Sequence, residues 1–176
     1  MILVTVGTQL PFPRLIRMLD DLASQLDEKI IAQAGRNSVE TRNIECHNTM
    51  EPRQFEALFL QADRIVAHAG IGTILAAKKH HKPIILVPRR AALGEHRNDH
   101  QMATVRQLGG QKGIYVAQKE AELLELLRAD LIPADDSPSR SLQGIQSAIG
   151  QFIAASDVRR PAGASIASPE SVRSSR

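Results

Sequence analysis

Apolar residues along the chain gather into short runs that alternate with helical patterns. Ile2 to Val6 is an apolar run ending at Gly7, which predicts a buried strand. Leu15, Leu19, Leu22 and Leu26 then recur at helical spacing, with Arg17, Asp21 and Gln25 on the opposite face. Lys29 to Ala34 predicts a second strand stopped by Gly35, and Arg42 to His47 a weaker third. Phe55, Leu58, Phe59 and Ala62 mark a helix whose first turn holds Pro52, a position where proline is tolerated. Arg64 to Ala67 reads as the fourth strand, with a short helix after Gly72. Pro83 to Val87 is the fifth strand, bounded by Pro83 and Pro88. Asp99 to Leu108 is a helix closed by Gly109 and Gly110, Gly113 to Ala117 the sixth strand, and Glu120 to Arg128 the last helix.

This alternation predicts an α/β fold, Rossmann-like and doubly wound, with a mostly parallel six-stranded sheet covered on both faces. The expected strand order is 3-2-1-4-5-6. Strands one and four then lie side by side where the winding reverses, and ligands bind beyond their carboxyl ends. The loops there are Gly7-Thr8-Gln9 and His68-Ala69-Gly70-Ile71-Gly72-Thr73. Topology alone nominates them.

After about residue 130 the pattern changes. Pro133, Asp135, Asp136, Ser137 and Pro138 read as a linker. Leu142, Ile145, Ile149, Phe152 and Ile153 have the spacing of one short amphipathic helix, and the Ser/Ala/Arg-rich stretch from Pro161 reads as disordered. The expected organisation is therefore one domain over residues 1–130 and an appendage over 131–176.

Composition narrows the function classes. The chain of 176 residues has no Trp and one Tyr, so it lacks the aromatic faces on which single-stranded nucleic acid stacks. The pI near 9.3 raises nucleic-acid binding as a rival, but no basic helix face supports it. A lone Cys46 excludes an intrachain disulfide framework and a cysteine zinc site, and suits a reducing cytoplasm. The first residues, Met1-Ile2-Leu3-Val4, show no basic n-region, and no apolar run reaches about 18 residues. Neither export nor membrane spanning is expected, and peripheral attachment stays open.

Two segments carry candidate chemistry. In His68 to Thr73, glycines after a strand let backbone approach a phosphate, and the next helix start offers unpaired N–H groups. A tight turn without ligand is the plain alternative, since short glycine turns often bind nothing. Neither a dinucleotide fingerprint nor a P-loop is present. Arg89 to Gln101 follows the fifth strand on the same rim, with Arg89, Arg90, His96, Arg97 and His100 beside Glu95, Asn98, Asp99 and Gln101. Arginine suits phosphate oxygens. The alternative is a solvated charged loop with Asn98 or Asp99 capping the next helix. No spaced D-x-D pair is present to hold a metal over a diphosphate.

Three stretches together resemble the C-terminal domain of glycosyltransferase family 28: Val4 to Thr8, Ala62 to Thr73, and Lys82 to Gln101. Within it the chain is most similar to small free-standing donor-binding subunits. These include the dolichol-linked N-acetylglucosaminyltransferase catalytic subunit and bacterial exopolysaccharide glucuronosyltransferase subunits. The resemblance covers about residues 1 to 128. It implies half of a GT-B enzyme, in which donor and acceptor domains close around the substrates. It implies that Gly7, Thr8, His68, Gly70, Gly72 and Thr73 cradle the donor diphosphate, that Asn98, Asp99 and Gln101 reach the sugar, and that Met50 lies near uracil. Backbone N–H groups and Arg89 or His96 are expected to stabilise departing UDP, with the base in a partner chain and His100 the in-chain candidate. Ala76 stands where several relatives carry a ribose-binding Glu, a departure that leaves ribose binding to other groups.

The resemblance further implies that a second, membrane-associated chain supplies the acceptor domain. On this expectation the chain is the donor subunit of a heteromeric, inverting, UDP-sugar-dependent hexosyltransferase of exopolysaccharide biosynthesis. It would act without cofactor or metal on a polyprenyl-diphosphate-linked glycan at the cytoplasmic membrane face. A non-catalytic enhancer subunit is the alternative, favoured by Ala76.

Overall fold

The computed structural model describes residues 1–36 and 39–135. The proposed amphipathic helix and tail lie outside them. Six strands, β1 (Ile2–Thr5), β2 (Ile30–Gln33), β3 (Glu45–His47), β4 (Arg64–His68), β5 (Ile84–Val87) and β6 (Ile114–Val116), form one sheet. Its order is β3-β2-β1-β4-β5-β6 and every pairing is parallel, as the alternating sequence pattern predicts. The helices are α1 (Pro13–Ala23), α2 (Pro52–Gln61), α3 (Ile71–Lys79), α4 (His100–Leu108) and α5 (Glu120–Arg128).

The strands are apolar on both sides because both sides are covered. Ile2, Val4, Val66, Ile85 and Val87 pack with Leu15, Leu19 and Leu22 of α1 and Leu123 and Leu127 of α5. Leu3, Ile65, Ala67, Ile84 and Leu86 face the opposite layer, against Phe59 of α2, Ile74 and Ala77 of α3 and Val105 of α4. Adjacent residues of one strand thus serve two different cores, which removes the alternation a half-exposed strand would show. Pro13 and Pro52 open α1 and α2, where a missing N–H costs no helical bond. Glu122 caps α5 by accepting from the N–H groups of Gln118 (2.7 Å) and Lys119 (3.3 Å).

Two details depart from the sequence expectation. The helix placed after Gly72 begins one residue before it, at Ile71, with Gly70 as N-cap. The third strand shortens to Glu45–His47, because Arg42 and Asn43 turn their N–H groups to the Asp20 carboxylate instead of a neighbouring strand. Of the stretch read as linker, residues 131–135 lie against the sheet. Ala134 is buried and Ile132 N–H donates to the Tyr115 hydroxyl (2.9 Å).

Candidate functional site

The carboxyl ends of β1 and β4 open into a cleft with two lobes that share Gly7, Thr8, Gln9 and Thr73. One lobe, about 440 Å³, is lined by the glycine loop and by Arg89, His96 and Gln101. The other, about 700 Å³, runs over β2 and β3 past Gln33, Arg36, Asn48, Met50 and Phe55. Gly7, Thr8, Met50, His68, Gly70, Gly72, Thr73, Arg89, His96 and Gln101 all line one lobe or both. Asn98, Asp99 and His100 do not.

The floor is built by a polar network that strand apolarity hides. Thr5 and Gln33 end β1 and β2 in register, and the Thr5 hydroxyl donates to Gln33 Oε1 (2.8 Å). Gln33 Nε2 then donates to the Gly7 carbonyl (3.2 Å), and Gly7 N–H to the Thr5 hydroxyl (3.3 Å). Gly7 is thus held at both its N–H and its carbonyl. Sequence reading missed both residues, although a Gln ending the otherwise apolar run Ile30-Ile31-Ala32-Gln33 was the available signal.

The glycines have different tasks. The His68 imidazole is wedged between Gly7 and Gly70. A Cβ on Gly70 would stand 2.3 Å from Nε2, and one on Gly7 2.8 Å from Cε1. Gly7 also has φ +78°, a region that glycine tolerates best. Around Gly72 nothing lies within 4 Å, so a side chain there would enter open cleft. No side chain caps α3 at Gly70, which leaves first-turn N–H groups and the positive helix end at the cleft. Such a helix start suits an anion.

Arg89 lines the smaller lobe, yet its hydrogen bonds go to the protein. It is 2% exposed, and its guanidinium donates to the carbonyls of Val6 (2.9 Å), Leu10 (2.6 Å) and Pro11 while lying 4.5 Å over the Phe12 ring. Its hydrogen bonds therefore order the β1–α1 loop. Burial lowers its pKa and the Glu95 charge opposes that shift.

The rest of the charged loop is likewise tied to protein. Arg14 grips Glu95 at both oxygens (2.6 and 3.0 Å), and Glu95 also accepts the Arg90 N–H (2.9 Å). Gln101 Oε1 bridges the N–H groups of Ala69 (3.3 Å) and Arg89 (3.1 Å), locking the two loops together. Asp99 accepts the Ala91 N–H (3.0 Å). Asn98 accepts from the His100 N–H (3.3 Å), as the capping alternative supposed, whereas Asp99 occupies the N-cap without a side-chain cap bond. His100 is exposed on the first turn of α4 and lines neither lobe.

His68 differs from these. Its Nδ1 is buried and makes no hydrogen bond. Burial, then the neighbouring Arg89 charge, pushes its pKa below the ordinary 6.5, with His96 acting the same way and the Thr5 backbone opposing. Among the described residues no cluster of His, Cys, Asp or Glu is arranged to hold a metal ion. Nor is any described helix long and apolar enough to cross a membrane.

A doubly wound domain with a free helix start at its switch point is an architecture that GT-B halves share with other nucleotide-binding folds. Residues 1–148 match the glycosyltransferase family 28 C-terminal domain, and the chain belongs to that family. Among solved structures, that of ALG13 is 18% identical with TM-score 0.56, covering 82% of this chain and 93% of its own. The glycotransferase of kitacinnamycin is 20% identical with TM-score 0.53, covering 89% of this chain. MurG of Acinetobacter baumannii is 21% identical with TM-score 0.50, covering 71% of this chain. The chain spans about two fifths of the last two proteins, 41% and 38% of their lengths. Comparison with curated proteins gives no match.

Proposed function

We propose that the chain is the donor-binding half of a two-chain, inverting, metal-independent glycosyltransferase that uses a UDP-sugar. The observation that carries this reading is the cleft at the β1–β4 switch point, where the uncapped start of α3 and the open space at Gly72 await an anion. The diphosphate occupies the smaller lobe, and the nucleoside extends past Met50 into the larger one. Catalysis is positioning, plus stabilisation of the departing diphosphate by the first-turn N–H groups of α3 and the imidazoles of His68 and His96. The base is assigned to the partner, with His100, exposed on the first turn of α4, as the in-chain alternative. The acceptor is a polyprenyl-diphosphate-linked glycan of exopolysaccharide synthesis, reached through a membrane-associated partner, and glucuronic acid is the leading candidate sugar.

The alternative is an enhancer subunit that supports its partner without binding donor, and Ala76 is the residue that favours it. Calorimetry with UDP separates the two, because an enhancer binds none. Transfer is then assayed with purified chain, UDP-sugars and lipid-diphosphate acceptor, with and without partner membranes, in EDTA. The expected result is UDP binding and EDTA-resistant transfer only with membranes. Sustained transfer by the chain alone at about 1 s⁻¹ or more, a rate typical of complete enzymes, overturns the two-chain reading.

A further inference from the structure

The diphosphate of the proposed donor carries two negative charges at neutral pH, and the smaller lobe has little uncommitted positive charge to meet them. Arg89 lends its field, but its hydrogen bonds are spent on the carbonyls of Val6, Leu10 and Pro11. His96 is engaged through Nδ1 with the Asn98 side chain (3.1 Å). That leaves His68. The Nε2–Cε1 edge of its ring fills the gap between Gly7 and Gly70, two residues that line the lobe. Its other nitrogen is sealed in the protein without a hydrogen bond.

Resting on the donor-binding reading, we propose that His68 is the counter-charge of the diphosphate, neutral in the empty cleft and taking up one proton as the anion binds. Burial and every charged group that faces the ring in the empty cleft oppose a charge on it, and only the Thr5 backbone favours one. Arg89 stands at the end of β5, His96 in the loop that follows, and the positive end of α3 begins two residues on. From the β1–α1 loop only the uncharged residues Val6 to Leu10 contribute to the lobe. A dianion against Nε2 reverses the sign of the local field, and an opposite charge at that range favours the protonated ring. The imidazolium then donates through Nε2–H to a phosphate oxygen. The Thr5 backbone, the one neighbour that already favours the protonated ring, supports that charge from within the protein.

The proton comes from solvent, and no bond of the donor changes. A group whose pKa is low when free and high when bound makes binding tighten as pH falls between the two values. Two glycines are therefore needed to seat a titrating ring at the phosphates, a requirement distinct from backbone approach.

The test follows the histidine-ring nitrogen resonances of the full chain by NMR across pH, free and saturated with UDP-glucose or UDP-glucuronic acid. Both phosphates of these donors are diesters and do not titrate near neutrality, unlike the terminal phosphate of UDP. The expected midpoint of His68 lies below about 6.5 in the free protein and rises by about one unit or more on binding, a tenfold change in proton affinity. His68→Gln removes that resonance, and calorimetry in buffers of different ionisation heat should show that it removes proton uptake as well. A His68 midpoint that stays or falls on binding overturns the proposal. So does proton uptake that persists in His68→Gln and vanishes in His96→Gln. If neither donor perturbs any cleft resonance, the donor-binding reading itself fails and takes this one with it. The wild-type titration decides the matter even if His68→Gln does not fold.

Discussion

Two loops border the cleft, and they are opposite in kind. The one from Arg89 to Gln101 carries most of the local charge, yet Arg89, Arg90, Glu95, Asp99 and Gln101 all have protein partners. The one from His68 to Thr73 carries no formal charge beyond its histidine, and it leaves a helix start uncapped, a nitrogen unpartnered and a glycine facing open space. Charge density thus marks where the rim is braced, and unsatisfied backbone marks where a ligand fits. A buried ion or hydrogen-bonding group already satisfied by protein has little left to give a ligand.

The strongest way to break this contrast is Arg89→Ala. It strips donors from the carbonyls of Val6, Leu10 and Pro11 and leaves Glu95 with one cation fewer. Removing one member of a buried charged network costs about 3–5 kcal/mol. Urea unfolding should show a loss of that order, with donor binding lost as the β1–α1 loop comes loose. If Arg89→Ala keeps wild-type stability and loses binding alone, Arg89 is a ligand group and the bracing reading is wrong.

Gly72→Val comes next and should do the reverse. Its Cβ meets nothing within 4 Å, and the position is helical, so the substitution leaves stability within about 0.5 kcal/mol. The two methyls project where the diphosphate is proposed to lie, so UDP affinity should fall at least about tenfold, or 1.4 kcal/mol. Normal UDP affinity in the folded variant would remove the glycine loop from the site.

How far the sequence discloses all this follows the range of the interactions. Strands and helices are set by runs of nearby apolar residues, so the six strands, their order and α5 from Glu120 to Arg128 are legible. The switch-point loops follow from the order. The 3-10 turn Ala91–Leu93, with Gly94 in the left-handed region behind it, has no apolar period to announce it. The task of Arg89 is hidden for another reason: its acceptors in the β1–α1 loop lie 78 to 83 residues earlier in the chain. From sequence an arginine beside a glycine-rich rim looks like a phosphate ligand. Only the folded arrangement shows its donors facing the protein's own carbonyls. Likewise Gly70 reads as room for a ligand, whereas its missing Cβ makes room for His68.

The smallest expected effect is the pH dependence of the ligand-free fold, and it tests the unbraced loop directly. His68 has its pKa lowered from 6.5, first by burial and then by Arg89. Between that lowered value and 6.5 the unfolded chain therefore binds more protons at this site than the native one. Stability is full above about pH 6.5 and falls as pH drops through the window, by about 1.4 kcal/mol for each unit separating the two pKa values. Other shifted groups act elsewhere. Glu45, held low by Lys29 and His47, and Asp63, held low by the Met1 ammonium, lose their contributions below ordinary values of 4.5 and 3.8. The Met1 ammonium, raised mainly by Asp63, acts above its ordinary 8.0. Urea unfolding at about pH 7.5 and 5.5 thus brackets the histidine window. The wild-type chain should lose more stability than His68→Gln between the two, while donor affinity in the wild type moves the opposite way and tightens. Equal losses in the two proteins would mean that the glycine loop holds no buried neutral imidazole, and the contrast between a satisfied rim and an unsatisfied loop would then rest on Gly72 and the helix start alone.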